Sequence, residues 1–182
     1  MKRTYIATTQ EAKALHDGTQ TAIIVKHSNK QPYAIGQEVV VREAWNFLHE
    51  YDTYPETDVM GIEDFVYPDG IRIDTYRSPI TMPVSAARTR FRIVSCEAVR
   101  VRDVHEDDAL NILECKPVNT LGDDYYNYYR DYMGSKNELD WPWFGETKDG
   151  IFKSWQSYIT HKLGQSAWDN NDYVFYYKIE KI

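Results

Sequence analysis

Apolar residues change their spacing along the chain, and the spacing predicts the elements. After a capping threonine, Thr9 to His16 carries Ala12 and Leu15 at helical spacing, and Gly18 supplies the stop. Thr21 to Lys26 and Gln37 to Glu43 are β-branched runs that read as strands, the second introduced by a turn at Ala34-Ile35-Gly36-Gln37. Phe65 to Thr75 alternates around Pro68-Asp69-Gly70, which favours a tight reversal and hence a hairpin. Arg90 to Val101 sets Phe91, Ile93, Val99 and Val101 between arginines and other polar residues, which predicts a long strand.

The pattern then changes. Asp103 to Glu114 concentrates acids where a helix would begin and follows them with Ala109, Leu110, Ile112 and Leu113 as a packing face. His105, Glu106 and Asp108 have metal-ligand chemistry, but the electrostatics of a helix start already account for the acids. Residues 116–149 mix glycine, proline and many aromatic side chains and read as a long excursion over the surface. Ile151 to Leu163 spaces Phe152, Trp155, Ile159 and Leu163 by threes and fours, the mark of a one-faced helix, and Asp172 to Ile182 reads as a closing strand. Without repeats or a low-complexity tail, this succession predicts a single α+β domain over 1–182 around a curled sheet.

Composition narrows the function. The 182 residues suffice for one core, and 42% hydrophobic against 27% charged residues is a globular balance. No stretch of about 18 apolar residues is present and Met1 to Gln10 holds no apolar signal core, so a cytoplasmic protein without membrane partners is expected. Cys96 and Cys115 form neither a disulfide framework nor a zinc-ligand spacing. The net charge of −7 excludes a uniformly basic nucleic-acid binder, but the charge is partitioned. From Arg72 to Arg102 seven arginines face two acids, whereas from Asp103 to Asp149 twelve acids face four cations. A glycine-rich phosphate loop, a Gly-x-Ser-x-Gly elbow and a His-Glu-x-x-His helix are all missing, and the five histidines are scattered. No metal and no cofactor is expected.

Three stretches together carry a resemblance. They are Tyr33-x-x-Gly36-x-x-Val39-x-Val41-Arg42-Glu43-x-Trp45; Tyr76-Arg77-Ser78-Pro79-x-Thr81-Met82-Pro83 with Ala87-Arg88; and Phe152-Lys153-Ser154 leading to Trp168-Asp169-Asn170-Asn171. In this order the chain resembles the ASCH-domain family, in the branch found in phages and prophages. The resemblance implies a PUA-like curled β-barrel of about five to seven strands with two to four short helices, associated with RNA, in the host cytoplasm if phage-encoded. It also raises an enzymatic alternative, since family members include amidohydrolases acting on N4-acetylcytidine. These use a lysine and a threonine from a Gly-Arg-Lys-Thr-x-Thr segment and a glutamate near the following helix. The corresponding stretch here is His16-Asp17-Gly18-Thr19-Gln20-Thr21, with no lysine, and the glutamate position is Ile112, with Glu114 two places late.

The first expectation is therefore an RNA- or nucleotide-binding module whose contacts are Arg42, Trp45, Arg88, Arg90 and Lys26. Arginines would meet phosphate, and Trp45 or a loop tyrosine would offer a stacking face. Arg42 and Glu43 read equally as a structural ion pair, and Trp45 equally as a core aromatic. The amidohydrolase alternative assigns Thr19 or Thr21 as nucleophile and Glu43 or Glu114 as carboxylate. A further alternative is a host-protein partner held by the acidic, tyrosine-rich excursion.

Overall fold

The structure, a computed structural model, describes residues 3–47, 65–66, 77–119, 125–134, 143–145 and 148–182. The expected hairpin at Pro68-Asp69-Gly70 lies outside them, as does Trp141. The fold is mixed α and β. Strands β1 (Arg3–Ile6), β2 (Ala22–Lys26), β3 (Glu38–Arg42), β6 (Arg90–Arg100) and β10 (Tyr173–Lys181) form a five-stranded sheet in the order β1-β3-β6-β10-β2. β1 runs parallel to β3, while β3 with β6 and β10 with β2 are antiparallel. Two short strands, β4 (Asn46–Phe47) and β5 (Phe65–Val66), pair with each other. Among the described residues β1 and β2 are the sheet's edges and do not pair together, so the sheet is open there rather than closed into the expected barrel.

By contact density the chain divides into two compact units. Unit 1 comprises Met1–Thr19, Tyr33–Val94 and Ile179–Ile182. Its helix α1 (Thr9–Asp17) starts at a reciprocal cap, in which the Thr8 hydroxyl accepts the Glu11 amide at 3.3 Å and the Glu11 carboxylate accepts the Thr8 amide at 3.2 Å. Gly18, with φ of 76°, ends the helix in the left-handed conformation that a side chain disfavours. The expected turn at Ala34 to Gln37 is present, with Gly36 at φ 79° and the Gln37 amide on the Ala34 carbonyl at 3.1 Å. β3 follows with Val39, Val40 and Val41 all buried.

Unit 2 comprises Gln20–Pro32 and Ser95–Lys178. Helix α2 (Glu106–Leu110) is capped by His105, whose Nδ1 accepts the Asp107 amide, and its three first-turn acids complement the helix dipole. Residues 116–149 are not a plain loop: β7 (Cys115–Asn119), β8 (Tyr125–Arg130) and β9 (Trp143–Phe144) form a three-stranded antiparallel sheet. Alternation hidden by the tyrosine run explains the difference, because Tyr129 turns into the core while Tyr128 stays partly exposed. Helix α3 (Lys148–Leu163) buries Ile151, Trp155, Tyr158 and Ile159. Phe152 lies off that stripe, half exposed, with its ring edge-on to Trp168 at 5.3 Å. The residues Val101, Ala109, Ile112, Leu113, Trp168 of α4 (Gln165–Asp169) and Val174 close this core. No helix of the described residues is long and apolar enough to cross a membrane.

Candidate nucleic-acid interface

The arginine-rich segment meets β3 in unit 1. Cross-strand partners Val40 with Arg90 and Glu38 with Arg92 fix the register. Because side chains alternate between faces, Glu38, Val40 and Arg42 of β3 share one face with Arg90 and Arg92 of β6. Trp45, Met82, Ala86 and Ala87 pack over Val40 on that face. They are held there by two 3₁₀ turns, Pro79–Thr81 and Val84–Ala86, the first capped by the Ser78 hydroxyl on the Ile80 amide. The arginines therefore border a small apolar plug.

Each arginine has a different state. Arg88 donates from Nε and Nη2 to the two carboxylate oxygens of Glu43, both at 2.9 Å, a bidentate pair in which Glu43 is 1% exposed. Arg42 donates from Nη1 to the Ile80 carbonyl at 3.0 Å, and its Nε is buried with no hydrogen-bond partner among the described residues. Arg90 has no side-chain partner among the described residues, and Arg92 reaches the exposed Glu38 at 3.6 Å. A pair that open to water contributes little, so Arg92 is readily exchanged onto another anion.

The sequence-derived set is only partly assembled. Arg42, Arg88, Arg90 and Trp45 come together in unit 1, whereas Lys26 ends β2 in unit 2. Trp45 is 1% exposed and donates from Nε1 to the Ser78 carbonyl and the Thr81 hydroxyl at 3.3 Å, with the Arg77 guanidinium 5.2 Å from its ring centroid. It is a core aromatic with no open face for a base, and this corrects the stacking role expected of it. Arg88, expected as a phosphate ligand, is paired with Glu43.

The hydrolytic candidates are dispersed. The Thr19 hydroxyl donates to the Ala14 carbonyl at 3.2 Å, closing the end of α1. The Thr21 hydroxyl donates to Asn111 at 3.1 Å, and Glu114 is paired with Arg130 at 2.8 Å. Glu43 is committed to Arg88. One hydroxyl and imidazole pair escaped sequence reading: His16 Nδ1 lies 3.0 Å from Thr89 Oγ1. The two are 73 residues apart in the chain, so no motif could join them. Thr89 is 1% exposed, which shuts out a substrate carbonyl, and the pair ties the end of α1 to the start of β6.

No family model, curated protein or solved structure matches the chain. Burial and the adjacent Glu11 carboxylate hold the Tyr5 hydroxyl well above the usual phenol range, so that phenol remains a donor to Glu11 at 3.0 Å. Through Tyr5, Glu11 and Thr8 the helix α1 is anchored beside β1, in the same unit that carries the arginine face.

Proposed function

We propose that the chain is an RNA- or nucleotide-binding module, of the PUA-like kind that its ASCH-type motifs resemble, taking phosphate on the β3–β6 face of unit 1. The observation that carries this reading is that Arg42, Arg90 and Arg92 share one face of the β3–β6 pair, with Arg90 lacking a side-chain partner among the described residues and Arg92 held only in an exposed pair. Arg92 is open to water in a weak pair and Arg90 has no competing side-chain partner among the described residues, so both can turn donors to phosphate oxygens. Guanidinium groups also match phosphate geometry through paired N–H donors. Such contacts set affinity and register without reading sequence, so the module binds the backbone first.

Glu43 and Arg88 serve this face indirectly. Their bidentate bond holds the end of β3 against the segment after Ala87, which keeps Arg42 and Arg90 in register. The amidohydrolase alternative has weaker support, since Thr19, Thr21, Glu43 and Glu114 are each engaged with a different group. Titration of labelled short RNA and DNA by fluorescence anisotropy tests the reading. It predicts binding that weakens steeply as salt rises, because phosphate contacts release counterions. Absence of binding at low salt would overturn it.

A further inference from the structure

Unit 2 carries a second cluster that the phosphate face does not use. Tyr173 opens β10 and is 46% exposed, which is unusual for a ring in a strand whose next residues, Val174 and Phe175, are buried. The register Val174 with Lys26 brings β2 alongside, and the His27 amide donates to the Tyr173 carbonyl at 3.3 Å. The exposed His27 ring then lies 5.9 Å from Tyr173 and 4.6 Å from Phe175, the latter pair tilted by 33°. From β6, the Arg100 guanidinium lies 4.5 Å from the centroid of the Tyr173 ring while its Nη1 donates to the Asn171 carbonyl at 3.2 Å. Three neighbouring strands thus place a guanidinium, a phenol ring and an imidazole in a row, open to solvent.

Such a row has a purpose in solution chemistry. Exposed flat rings bordered by cations are suited to unpaired nucleobases, which present π-faces, with phosphates at regular spacing along the strand. We infer that Tyr173 and His27 form a stacking platform for unpaired bases of a single-stranded nucleic acid, with Arg100 taking a flanking phosphate. Duplex is disfavoured at this site because its bases are already stacked and their faces hidden. The inference rests on the nucleic-acid reading above, but it concerns other residues, in the other unit.

The test compares two labelled oligomers of about twelve residues, an oligouridylate and an abasic ribose-phosphate chain of equal length, within the range of single-strand site sizes. For the wild-type protein, stacking predicts that the abasic oligomer binds on the order of ten- to a hundredfold more weakly. Tyr173→Leu should remove most of that difference and Tyr173→Trp should keep it, whereas Arg90→Gln should weaken both oligomers by a similar factor. If the wild-type protein binds neither oligomer, the nucleic-acid reading fails and this inference with it. If it binds both equally, or if folded Tyr173→Leu retains the preference for bases, the stacking platform is wrong while the phosphate reading stands. The wild-type comparison decides the matter even if a substituted protein does not fold.

Discussion

In unit 1 the buried carboxylates Glu43 and Glu11 are met by the side chains of Arg88 and Tyr5, Glu11 also accepting the Thr8 amide, whereas in unit 2 buried side-chain donors go to main-chain carbonyls. There Trp155 Nε1 donates to the Val101 carbonyl at 2.7 Å, the Ser154 hydroxyl to that of Arg130 at 2.6 Å, and the Tyr176 hydroxyl to that of Asp108 at 2.8 Å. Arg102 follows the same rule, donating to the Trp168 and Asp169 carbonyls at the end of α4. The difference matters for failure. A side-chain pair loses both partners' compensation when one is removed and strands a charge, while a lost donor to the main chain leaves one carbonyl to find water.

The largest predicted effect follows directly. Glu43→Ala leaves the Arg88 charge without its counter-ion and should cost about 3–5 kcal/mol in urea unfolding. The double substitution Glu43→Met with Arg88→Met should recover most of that loss, because two apolar side chains replace the pair. A double variant as unstable as the single one would mean that the pair is not the relevant unit. Next in size is Trp155→Phe, which keeps the aromatic packing of α3 and deletes the bond to Val101, at about 1–3 kcal/mol. Equal losses for Trp155→Phe and Glu43→Ala would remove the distinction between the units. Smaller again is Thr8→Ala, which opens the cap of α1 and should cost about 1 kcal/mol by thermal unfolding.

Unit 2 also holds a strongly shifted phenol. Burial is the main cause that raises the Tyr176 phenol to about 12 from an ordinary 10.0, helped by Asp108 and opposed by Asn111. In the unfolded chain this phenol loses its proton near 10.0, whereas the folded chain keeps it to about 12. Stability is thus fully present below pH 10.0 and falls as pH rises between these values. Tyr176→Phe should flatten the decline measured by unfolding at alkaline pH, and an unchanged slope would assign the decline to Tyr5 or other groups, since Tyr5 is raised in the same sense.

Most elements were legible in the sequence because their signals are local. α1 announces itself by a threonine, two apolar positions and a glycine, and β6 by simple alternation from Arg90. α3 was visible, but spacings of three and four fit two neighbouring stripes, and the buried one runs through Ile151 and Tyr158 rather than Phe152. β7 to β9 were obscured because a run of tyrosines has no polar partner to mark the alternation. The site was harder. The sequence identified Arg42, Arg88 and Trp45 as residues of consequence, yet the choice between ligand and structural partner depends on burial. Only the fold reveals that Glu43 claims Arg88 and that Ser78 and Thr81 claim Trp45. The row of Arg100, Tyr173 and His27 depends on the adjacency of β6, β10 and β2, which no linear spacing encodes.

The proposed role of unit 1, taking nucleic-acid phosphate through Arg42 and Arg90, makes a quantitative prediction. The most direct measurement is the salt dependence of single-stranded RNA binding for the wild-type protein and for the Arg42→Gln and Arg90→Gln variants, each checked for folding by circular dichroism. Each arginine lost should make the logarithmic salt slope shallower by roughly 0.7, the value for one single-strand phosphate contact. Folded variants with the wild-type affinity and the wild-type slope would contradict the claim.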